Sequence, residues 1–267
     1  MAFNITYISI NQSKTYGYIS LLSDDEMLDA ALILGASLRN TLTSYPLNIL
    51  TLSDVSMNAR KQLLNSNSGI ISLIDVKQLE YRFNTLSMNT SRNIVCGFNK
   101  LHLWNLVNYT KLIYLDIDTM VVQNIDDLFE KPELNAALDI GGVVNTGVFV
   151  AQSLLKTFND MMLLYKMSSS SYNRDDQRFI NWYFTNSSNS KIHYLPLEYN
   201  RISWHKDYQI WDEVQAQAKI IHFAGKSKPW SFFYMPHRNW ERNIEGQLFY
   251  KWKQMFEIVQ KTIKQKG

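Results

Sequence analysis

In Lys111-Leu-Ile-Tyr-Leu-Asp116-Ile-Asp118-Thr-Met-Val-Val122, an apolar run of strand length ends in two carboxylates. Ligands of open α/β sheets bind at the carboxyl ends of the strands, which is where these acids lie. Asp116 and Asp118 are separated by one residue, so both can address a single ligand where the chain turns at the end of the strand. Mn²⁺ or Mg²⁺ prefers oxygen ligands of this kind and can bridge phosphates. The stretch therefore predicts a buried strand, a turn and a divalent cation site.

Two other interpretations of the Asp-x-Asp pattern stay open. A surface turn would leave both acids without a ligand, although unpaired carboxylates beside a core are unfavourable. Phosphohydrolases with an aspartyl nucleophile also carry Asp-x-Asp after an apolar strand, and Asp116 would then carry the phosphate covalently. Those enzymes have Thr or Val two residues after the second Asp, where this chain has Met120. Their pair also usually opens the first strand of the fold, whereas at least three strands come first here.

The chain before this stretch alternates between strands and helices. Apolar runs of strand length occur at residues 16–22, 47–52 and 69–76, and helical patterns at 27–38 and 56–64 separate them. Such alternation is typical of a parallel sheet with right-handed crossovers. We therefore predict an α/β fold with a Rossmann-like, mostly parallel central sheet and helices on both faces.

The length of 267 residues suits one large domain, which we assign to residues 1–267. Residues 1–15 are expected to form an extra edge element, and residues 240–267 a C-terminal helix. The apolar face of that helix comprises Leu248, Trp252, Met255, Val259 and Ile263. A stripe of this spacing usually packs on a core.

Composition restricts the class of partner. Lys+Arg 27 against Asp+Glu 24 gives a formal net charge of +3, which predicts no general attraction to nucleic acid or to a membrane. No signal peptide and no apolar run of membrane-spanning length is visible, so a cytoplasmic protein is expected. The chain has one cysteine, Cys96, which excludes an intrachain disulfide and is expected to be an inert buried thiol.

A second polar segment follows the strand-like run at residues 219–223. His222 on its own is more often a core histidine, but its neutral imidazole could complete the cation site begun by the two acids. Gly225 permits close approach of backbone to a ligand. Lys228 can neutralise phosphate oxygens as a point charge. The dense run from His222 to Trp230 is more specific than any of these residues alone.

The middle of the chain carries polar side chains suited to a sugar. The amide of Asn145 both donates and accepts, and Gly147 leaves room for a ligand. One acid of Asp175-Asp176-Gln177 is expected to cap a helix, while the other acid and Gln177 bind sugar hydroxyls. Asp139 is a further sugar-binding candidate, and residues 168–173 are expected to form a lid.

Taken together, these segments resemble the glycogenin branch of the retaining glycosyltransferases of family 8, roughly from residue 16 to residue 230. Lys100-Leu-His-Leu-Trp104 resembles the segment of that family whose lysine lies near the donor, and Asn145-Thr-Gly147 its Asn-Ser-Gly. The resemblance implies a GT-A fold, UDP-glucose as donor, Mn²⁺ or Mg²⁺ as cofactor and a homodimer. It implies Asp116, Asp118 and His222 as metal ligands.

The resemblance also implies roles for the remaining site candidates. Asp176, Gln177 and Lys228 are expected to act in catalysis. Retention requires either a nucleophilic carboxylate, for which Asp176 is the best placed, or attack by the acceptor on the face from which UDP departs, and we favour the second route. The expected donor-binding residues are Leu21, Ser23, Arg92, Lys100, Asp116, Ile117, Asp118, Asp139, Asn145, Thr146, Gly147, Gly225 and Lys228.

Departures from the family concern the base and the acceptor. Met27 stands where the family has a tyrosine near the uracil, and the spacing of Arg92 differs by one residue. Counting back from the metal histidine to the family's self-glucosylated tyrosine leads to His205, and Tyr208 is the nearest phenol. The acceptor is therefore open: the chain itself through Tyr208, another protein, or a glycan. A UDP-sugar-binding protein with weak or no transfer is the alternative function.

Overall fold

The computed structural model describes residues 15–66, 69–79, 96–139, 141–167, 175–187, 191–203, 217–225, 228–232 and 244–265. The N-terminal element except its last residue, the lid expected at 168–173, Arg92 and Tyr208 lie outside these ranges. The assignment of the whole chain to one domain stays a prediction.

Ten strands within the described residues form two sheets. They are β1 Tyr16–Leu22, β2 Leu47–Thr51, β3 Ile71–Asp75, β4 Lys111–Leu115, β5 Thr119–Val121, β6 Asn135–Leu138, β7 Val144–Ala151, β8 His193–Leu195, β9 Arg201–Ile202 and β10 Ile220–His222 among the described residues. The large sheet has the order β3-β2-β1-β4-β7-β6-β8, and the small one β5-β10-β9. All pairs of the large sheet are parallel except those that β7 makes with β4 and β6. The prediction of a mostly parallel sheet is confirmed.

Five α-helices lie within the described residues, and two of them begin at a side-chain cap. They are α1 Leu28–Asn40, α2 Met57–Asn65, α3 Leu155–Met167, α4 Asp176–Asn186 and α5 Ile244–Lys264 among the described residues. The hydroxyl of Ser56 accepts from the backbone N of Ala59 at 3.1 Å, and the carboxylate of Asp175 accepts from the backbone N of Arg178 at 2.7 Å. Each bond satisfies one amide of a first helical turn. The segment that contains Lys100 forms a 3-10 helix, Phe98–Asn105.

The core lies in two layers, one on each face of the large sheet. Successive residues of one strand belong to different layers, as Tyr18 and Ile19 of β1 do. The layer of Tyr18 includes residues of α1, α2 and α5, and Trp252 of α5 is 1% exposed there. The layer of Ile19 includes residues of α3, α4 and the 3-10 helix. Helices therefore cover both faces, as predicted, and the C-terminal helix packs on the core.

Strand order places a ligand site between β1 and β4. These strands are parallel neighbours, with Tyr16 opposite Lys111. The chain runs outward from β1 to β2 and β3, and then returns to the other side of β1 with β4. Such a reversal of strand order is the point at which open α/β sheets bind ligands, beyond the carboxyl ends of the strands. Within the described part of the chain, no helix has the length and hydropathy needed to cross a membrane.

Glu133 gives the fold a dependence on pH. Its carboxylate accepts from Trp104 Nε1 at 2.6 Å and from the backbone N of Gln152 at 2.8 Å. Burial outweighs these bonds and raises the pKa of Glu133 from 4.5 to about 6. The folded state thus binds the proton more tightly than the unfolded chain. The free energy of unfolding therefore falls as the pH rises from 4.5 to about 6.

We expect Glu133→Gln to raise the free energy of unfolding at pH 7 by about 1 to 2 kcal/mol. The amide oxygen can accept both bonds without carrying a buried charge. Urea denaturation at pH 4.5 and pH 7 measures the effect, and the difference between variant and wild type should shrink at the lower pH. Glu130→Gln, at an exposed position, is the control. A Glu133→Gln variant that is less stable than the wild type at pH 7 would contradict the prediction.

Candidate active site

A tight turn after β4 brings the two predicted acids to one side. The carbonyl of Asp116 accepts from the backbone N of Thr119 at 3.0 Å and from its hydroxyl at 2.7 Å. β5 then runs antiparallel to β10, with Thr119 opposite His222. The backbone N of Phe223 donates to the carbonyl of Asp118 at 3.0 Å. This pairing brings His222 to the acidic turn from more than 100 residues away.

Asp116, Asp118 and His222 form a compact cluster of oxygen and nitrogen ligands. One ligand atom from each lies within 4.8 Å of the others. His222 Nε2 is 3.3 Å from Asp118 Oδ1 and 3.8 Å from Asp116 Oδ2. Burial disfavours the charged imidazole, but the charge and hydrogen bond of Asp118 and the charge of Asp116 together outweigh burial and raise the pKa of His222. Burial likewise opposes ionisation of Asp118, yet His222 and then Lys228 hold its pKa far below the usual range.

Two lysines neutralise the acids. Lys228 Nζ lies 2.5 Å from Asp118 Oδ2 and donates to the carbonyl of Phe223 at 2.8 Å. Lys100 Nζ lies 2.6 Å from Asp176 Oδ2 and 3.3 Å from Asp116 Oδ1. Burial alone would lower the pKa of Lys100, but the two carboxylates raise it. Lys100 therefore stays charged and links the acidic turn to the start of α4.

A chain of amides lies behind the cluster. Asn200 Oδ1 is 2.9 Å from His222 Nδ1, and Asn200 Nδ2 donates to Asn145 Oδ1 at 2.9 Å. Asn145 Nδ2 donates to Asp139 Oδ2 at 2.9 Å, and Gln177 Nε2 donates to the same oxygen at 3.0 Å. These bonds connect the histidine to the sugar-binding candidates. They hold Asn145 and Gln177 in fixed orientations.

Two glycines make room for site side chains. A Cβ on Gly147 would lie 2.2 Å from His222 Cε1, so the imidazole fills the space that the sequence suggested for a ligand. A Cβ on Gly97 would lie 2.4 Å from Asp176 Oδ1. Real Cβ atoms essentially never approach so closely. The close packing of His222 and Asp176 thus depends on glycine at both positions.

A cleft of about 720 Å³ opens over these groups. Its size is within the range of pockets for small-molecule ligands. The expected site residues that line it are Leu21, Ser23, Lys100, Asp116, Ile117, Asp118, Asn145, Thr146, Asp176, Gln177, His222, Gly225 and Lys228. Asp139 and Gly147 do not line it. Asp139 lies one hydrogen bond behind Asn145 and Gln177, a position that supports the wall and does not favour direct contact with a sugar.

The sequence matches known proteins over this region. A family model described as "Glycosyl transferase family 8" matches residues 18–138. Glycogenin-1 of Mus musculus is 34% identical over 224 residues, which cover 82% of this chain and 66% of the mouse protein. The chain belongs to glycosyltransferase family 8. This membership sets aside the phosphohydrolase interpretation of the Asp-x-Asp pattern.

Other family and fold relatives are more distant. Inositol phosphorylceramide glucuronosyltransferase 1 of Arabidopsis thaliana is 32% identical over 182 residues, which cover 68% of this chain and 32% of that protein. The crystal structure of the galactosyltransferase LgtC in complex with donor and acceptor sugar analogues has a TM-score of 0.63 and 16% sequence identity, covering 91% of this chain and 96% of that chain. The last likeness concerns the fold, and it confirms the expected GT-A architecture.

Several lining residues of this family 8 chain were not expected from its sequence. The hydroxyl of Tyr114 donates to Asp116 Oδ1 at 2.9 Å, and the Tyr114 ring lies under Lys100 Nζ at 4.8 Å. Tyr114 sits within an apolar strand, where a phenol looks like core. The other additional lining residues are Cys96, Gly97, Val143, Asp175, Arg178 and Ala224. Met27, which stands at the position of the family's tyrosine, also lines the cleft. Cys96 is 6% exposed, which confirms that the thiol is buried.

Proposed function

We propose that this chain transfers glucose from UDP-glucose to a hydroxyl acceptor with retention at the anomeric carbon, and that Mn²⁺ or Mg²⁺ assists. The observation that carries the proposal is the convergence of Asp116, Asp118 and His222 in a cleft that also holds Lys100 and Lys228. Three metal ligands beside two ammonium groups suit a diphosphate with its cation. The plant relative is named for the transfer of a glucuronosyl group, and glucose is the donor sugar that we select here.

The ligand set fits the cation. Two carboxylate oxygens and one imidazole nitrogen are ligands that Mn²⁺ accepts. Asn200 Nδ2 donates to Asn145, so its Oδ1 is assigned as the acceptor that faces His222 Nδ1. A proton on Nδ1 leaves the lone pair of Nε2 on the side of the two carboxylates. When bound there, the cation would supply Lewis-acid stabilisation of charge on the diphosphate.

The remaining chemistry belongs to side chains of the chain itself. The bond between the anomeric carbon and the UDP oxygen breaks, and its electron pair stays on that oxygen. The acceptor oxygen bonds to the same carbon on the same face, and its proton passes to the departing phosphate. The ammonium groups of Lys228 and Lys100 stabilise the developing negative charge. Asp176 and Gln177 hold the sugar and the acceptor in place.

Asp176 could instead serve as a nucleophile, as a carboxylate does in retaining glycosidases. Its carboxylate is paired with Lys100 at 2.6 Å and lies 3.4 Å from the hydroxyl of Thr146. We favour the positioning role, in which this fixed carboxylate orients hydroxyl groups. A hexose–enzyme adduct on Asp176 detected by mass spectrometry would establish the double-displacement route instead.

The proposal is tested by UDP release from UDP-glucose, UDP-galactose and UDP-glucuronate, each with Mn²⁺, with Mg²⁺ and with EDTA. We expect the fastest release from UDP-glucose with Mn²⁺ and none with EDTA. Faster release from another donor would overturn the choice of glucose but would still support a glycosyltransferase. Binding of UDP-glucose without release from any donor would favour the UDP-sugar-binding protein.

The acceptor and the assembly are tested on the same preparation. Intact-protein mass spectrometry after incubation with UDP-glucose would show stepwise hexose gain if the chain glucosylates itself, and peptide mapping would report whether Tyr208 carries it. Release of UDP without any gain of hexose on the chain would indicate a separate protein or glycan acceptor. We also propose that the chain forms a homodimer, as the family resemblance implies. Sedimentation velocity measures the oligomeric state directly.

We expect Gly97→Ala to lower kcat by about tenfold to a hundredfold while changing the free energy of unfolding by less than about 1 kcal/mol. The added Cβ would displace the end of the Asp176 side chain, which lies at 2.4 Å, and Gly97 already has helical dihedral angles that alanine adopts. Donor turnover and thermal unfolding measure the two quantities. Mn²⁺ affinity should stay unchanged, since Asp176 is outside the proposed ligand set. Wild-type kcat in Gly97→Ala would show that the position of this carboxylate does not matter.

A further inference from the structure

A second groove, of about 690 Å³, adjoins the catalytic cleft. Val143 and Arg178 line both, so the two spaces meet at these side chains. The residues that line the groove are Gly142, Val143, Val144, Arg178, Asn181, Trp182, Thr185, Asn186, Ile192 and Tyr194. None of its residues has a role in the chemistry proposed above.

The floor of the groove is fixed by one buried amide. Asn181 is 7% exposed, its Oδ1 accepts from the backbone N of Val144 at 2.9 Å, and its Nδ2 donates to the carbonyl of Val144 at 2.8 Å. The same Nδ2 lies 2.9 Å from the carbonyl of Gln177. The amide therefore ties the start of β7 to α4, the helix that begins with Asp176 and Gln177. A floor held in this way is formed before any ligand arrives.

The walls combine aromatic rings with polar side chains. Tyr194, in the edge strand β8, is 61% exposed, and Trp182 is half-buried. Thr185 and Asn186 are exposed at the end of α4, and the side chain of Arg178 is 56% exposed. Aromatic rings stack on the apolar faces of sugars, while amide, hydroxyl and guanidinium groups bond to sugar hydroxyls. Arg178 is the one charged residue among the described lining residues, which suits a neutral ligand.

We infer that this groove binds the acceptor as a neutral oligosaccharide, with the end that receives the hexose directed toward Gln177. The inference rests on the transferase function proposed above, because a transferase must bring a hydroxyl to the sugar end of its donor cleft. Helix α4 runs from one space to the other: Gln177 lines the cleft, and Asn186, nine positions later, lines the groove. At the rise of an α-helix these positions span about 14 Å, room for more than a single sugar ring.

Direct binding tests the groove without relying on turnover. Saturation-transfer NMR titrations of maltopentaose and xylopentaose would use the full chain loaded with UDP and Mn²⁺. We expect at least one oligosaccharide to bind, and Tyr194→Ala to raise its Kd about tenfold through loss of ring stacking and burial. Tyr194→Phe keeps the ring and should stay close to the wild type. Tyr250→Ala removes a tyrosine of α5 that is 50% exposed and is the matched control with unchanged Kd.

Kinetics add a second readout. With the oligosaccharide that binds, Tyr194→Ala should raise the KM for the acceptor about tenfold relative to the KM for the donor. Equal affinity of Tyr194→Ala and wild type, or no binding of either oligosaccharide to the wild type, would overturn the inference. So would a dimer that Tyr194→Ala dissociates without change in oligosaccharide affinity, since the groove would then be a contact between copies. If the oligosaccharide binds in a Tyr194-dependent way but the protein releases no UDP from its donor, the groove is an oligosaccharide site and the proposed transfer from UDP-glucose is wrong.

Discussion

Asp118→Asn is expected to lower kcat/KM for the donor by at least about a thousandfold, equivalent to about 4 kcal/mol of transition-state stabilisation. The amide has nearly the same shape but lacks the charge that, with Asp116 and His222, would hold the cation. Asp118 is central to the cluster, because His222 Nε2 lies 3.3 Å from one of its oxygens and Lys228 Nζ 2.5 Å from the other. UDP release with Mn²⁺ measures the loss. Isothermal titration with Mn²⁺ alone reports whether the cation site is the cause.

The control for Asp118→Asn must separate lost chemistry from lost folding. Removing one charge from a buried pair is destabilising, here by no more than about 3 kcal/mol because the amide keeps hydrogen-bonding capacity. Thermal unfolding therefore accompanies the assay, and Mn²⁺ should raise the Tm of the wild type but not that of the variant. Asp75→Asn, at the end of β3 with a side chain that is 78% exposed, makes the same chemical change outside the cleft. Mn²⁺-dependent turnover within tenfold of the wild type in Asp118→Asn would contradict the assigned metal site.

Local sequence accounts well for the strands and the helix starts. A strand from Leu112 to Leu115 was predicted because this short apolar run is followed at once by polar groups, and β4 extends it by one residue, Lys111. One acid of Asp175-Asp176 was expected to cap a helix, and Asp175 does so, since a cap bonds within the first turn of its own helix. Such features are encoded in a few neighbouring residues, so their prediction needs no knowledge of the rest of the fold.

Contacts between distant segments explain what sequence reasoning missed. The amide of Asn200 reaches His222 only because β9 runs beside β10. The sequence around Asn200 contains no pattern that predicts this contact. Gly147 looked like space for a ligand, yet the imidazole of His222 occupies that space. Lys100 was expected at the donor site, but its pairing with Asp176 requires the 3-10 helix and α4 to meet. Each of these contacts is a product of tertiary packing.

Gly147→Ala is expected to raise the Kd for Mn²⁺ by at least about a hundredfold, although Gly147 offers no ligand atom of its own. The new Cβ would lie 2.2 Å from Cε1 and 2.8 Å from Nδ1 of His222, and 2.9 Å from Asn145 Oδ1. The imidazole is 4% exposed and is held by Asn200, so it has no open space into which to rotate. Either the ring leaves the carboxylates or β7 moves away from β4. Isothermal titration with Mn²⁺ measures the loss directly.

Gly17→Ala is the matched control for this substitution. Gly17 is also a buried strand glycine, and a Cβ there would lie 2.9 Å from Tyr109 Cε1 and 3.0 Å from Asn48 Nδ2, far along the sheet from the cluster. Overpacking should lower the free energy of unfolding by about 1 to 3 kcal/mol in both variants. Only Gly147→Ala should also lose the Mn²⁺-induced rise in Tm. If it retained wild-type Mn²⁺ affinity, His222 would not be a ligand, and the cation would be held by the carboxylates of Asp116 and Asp118 without it.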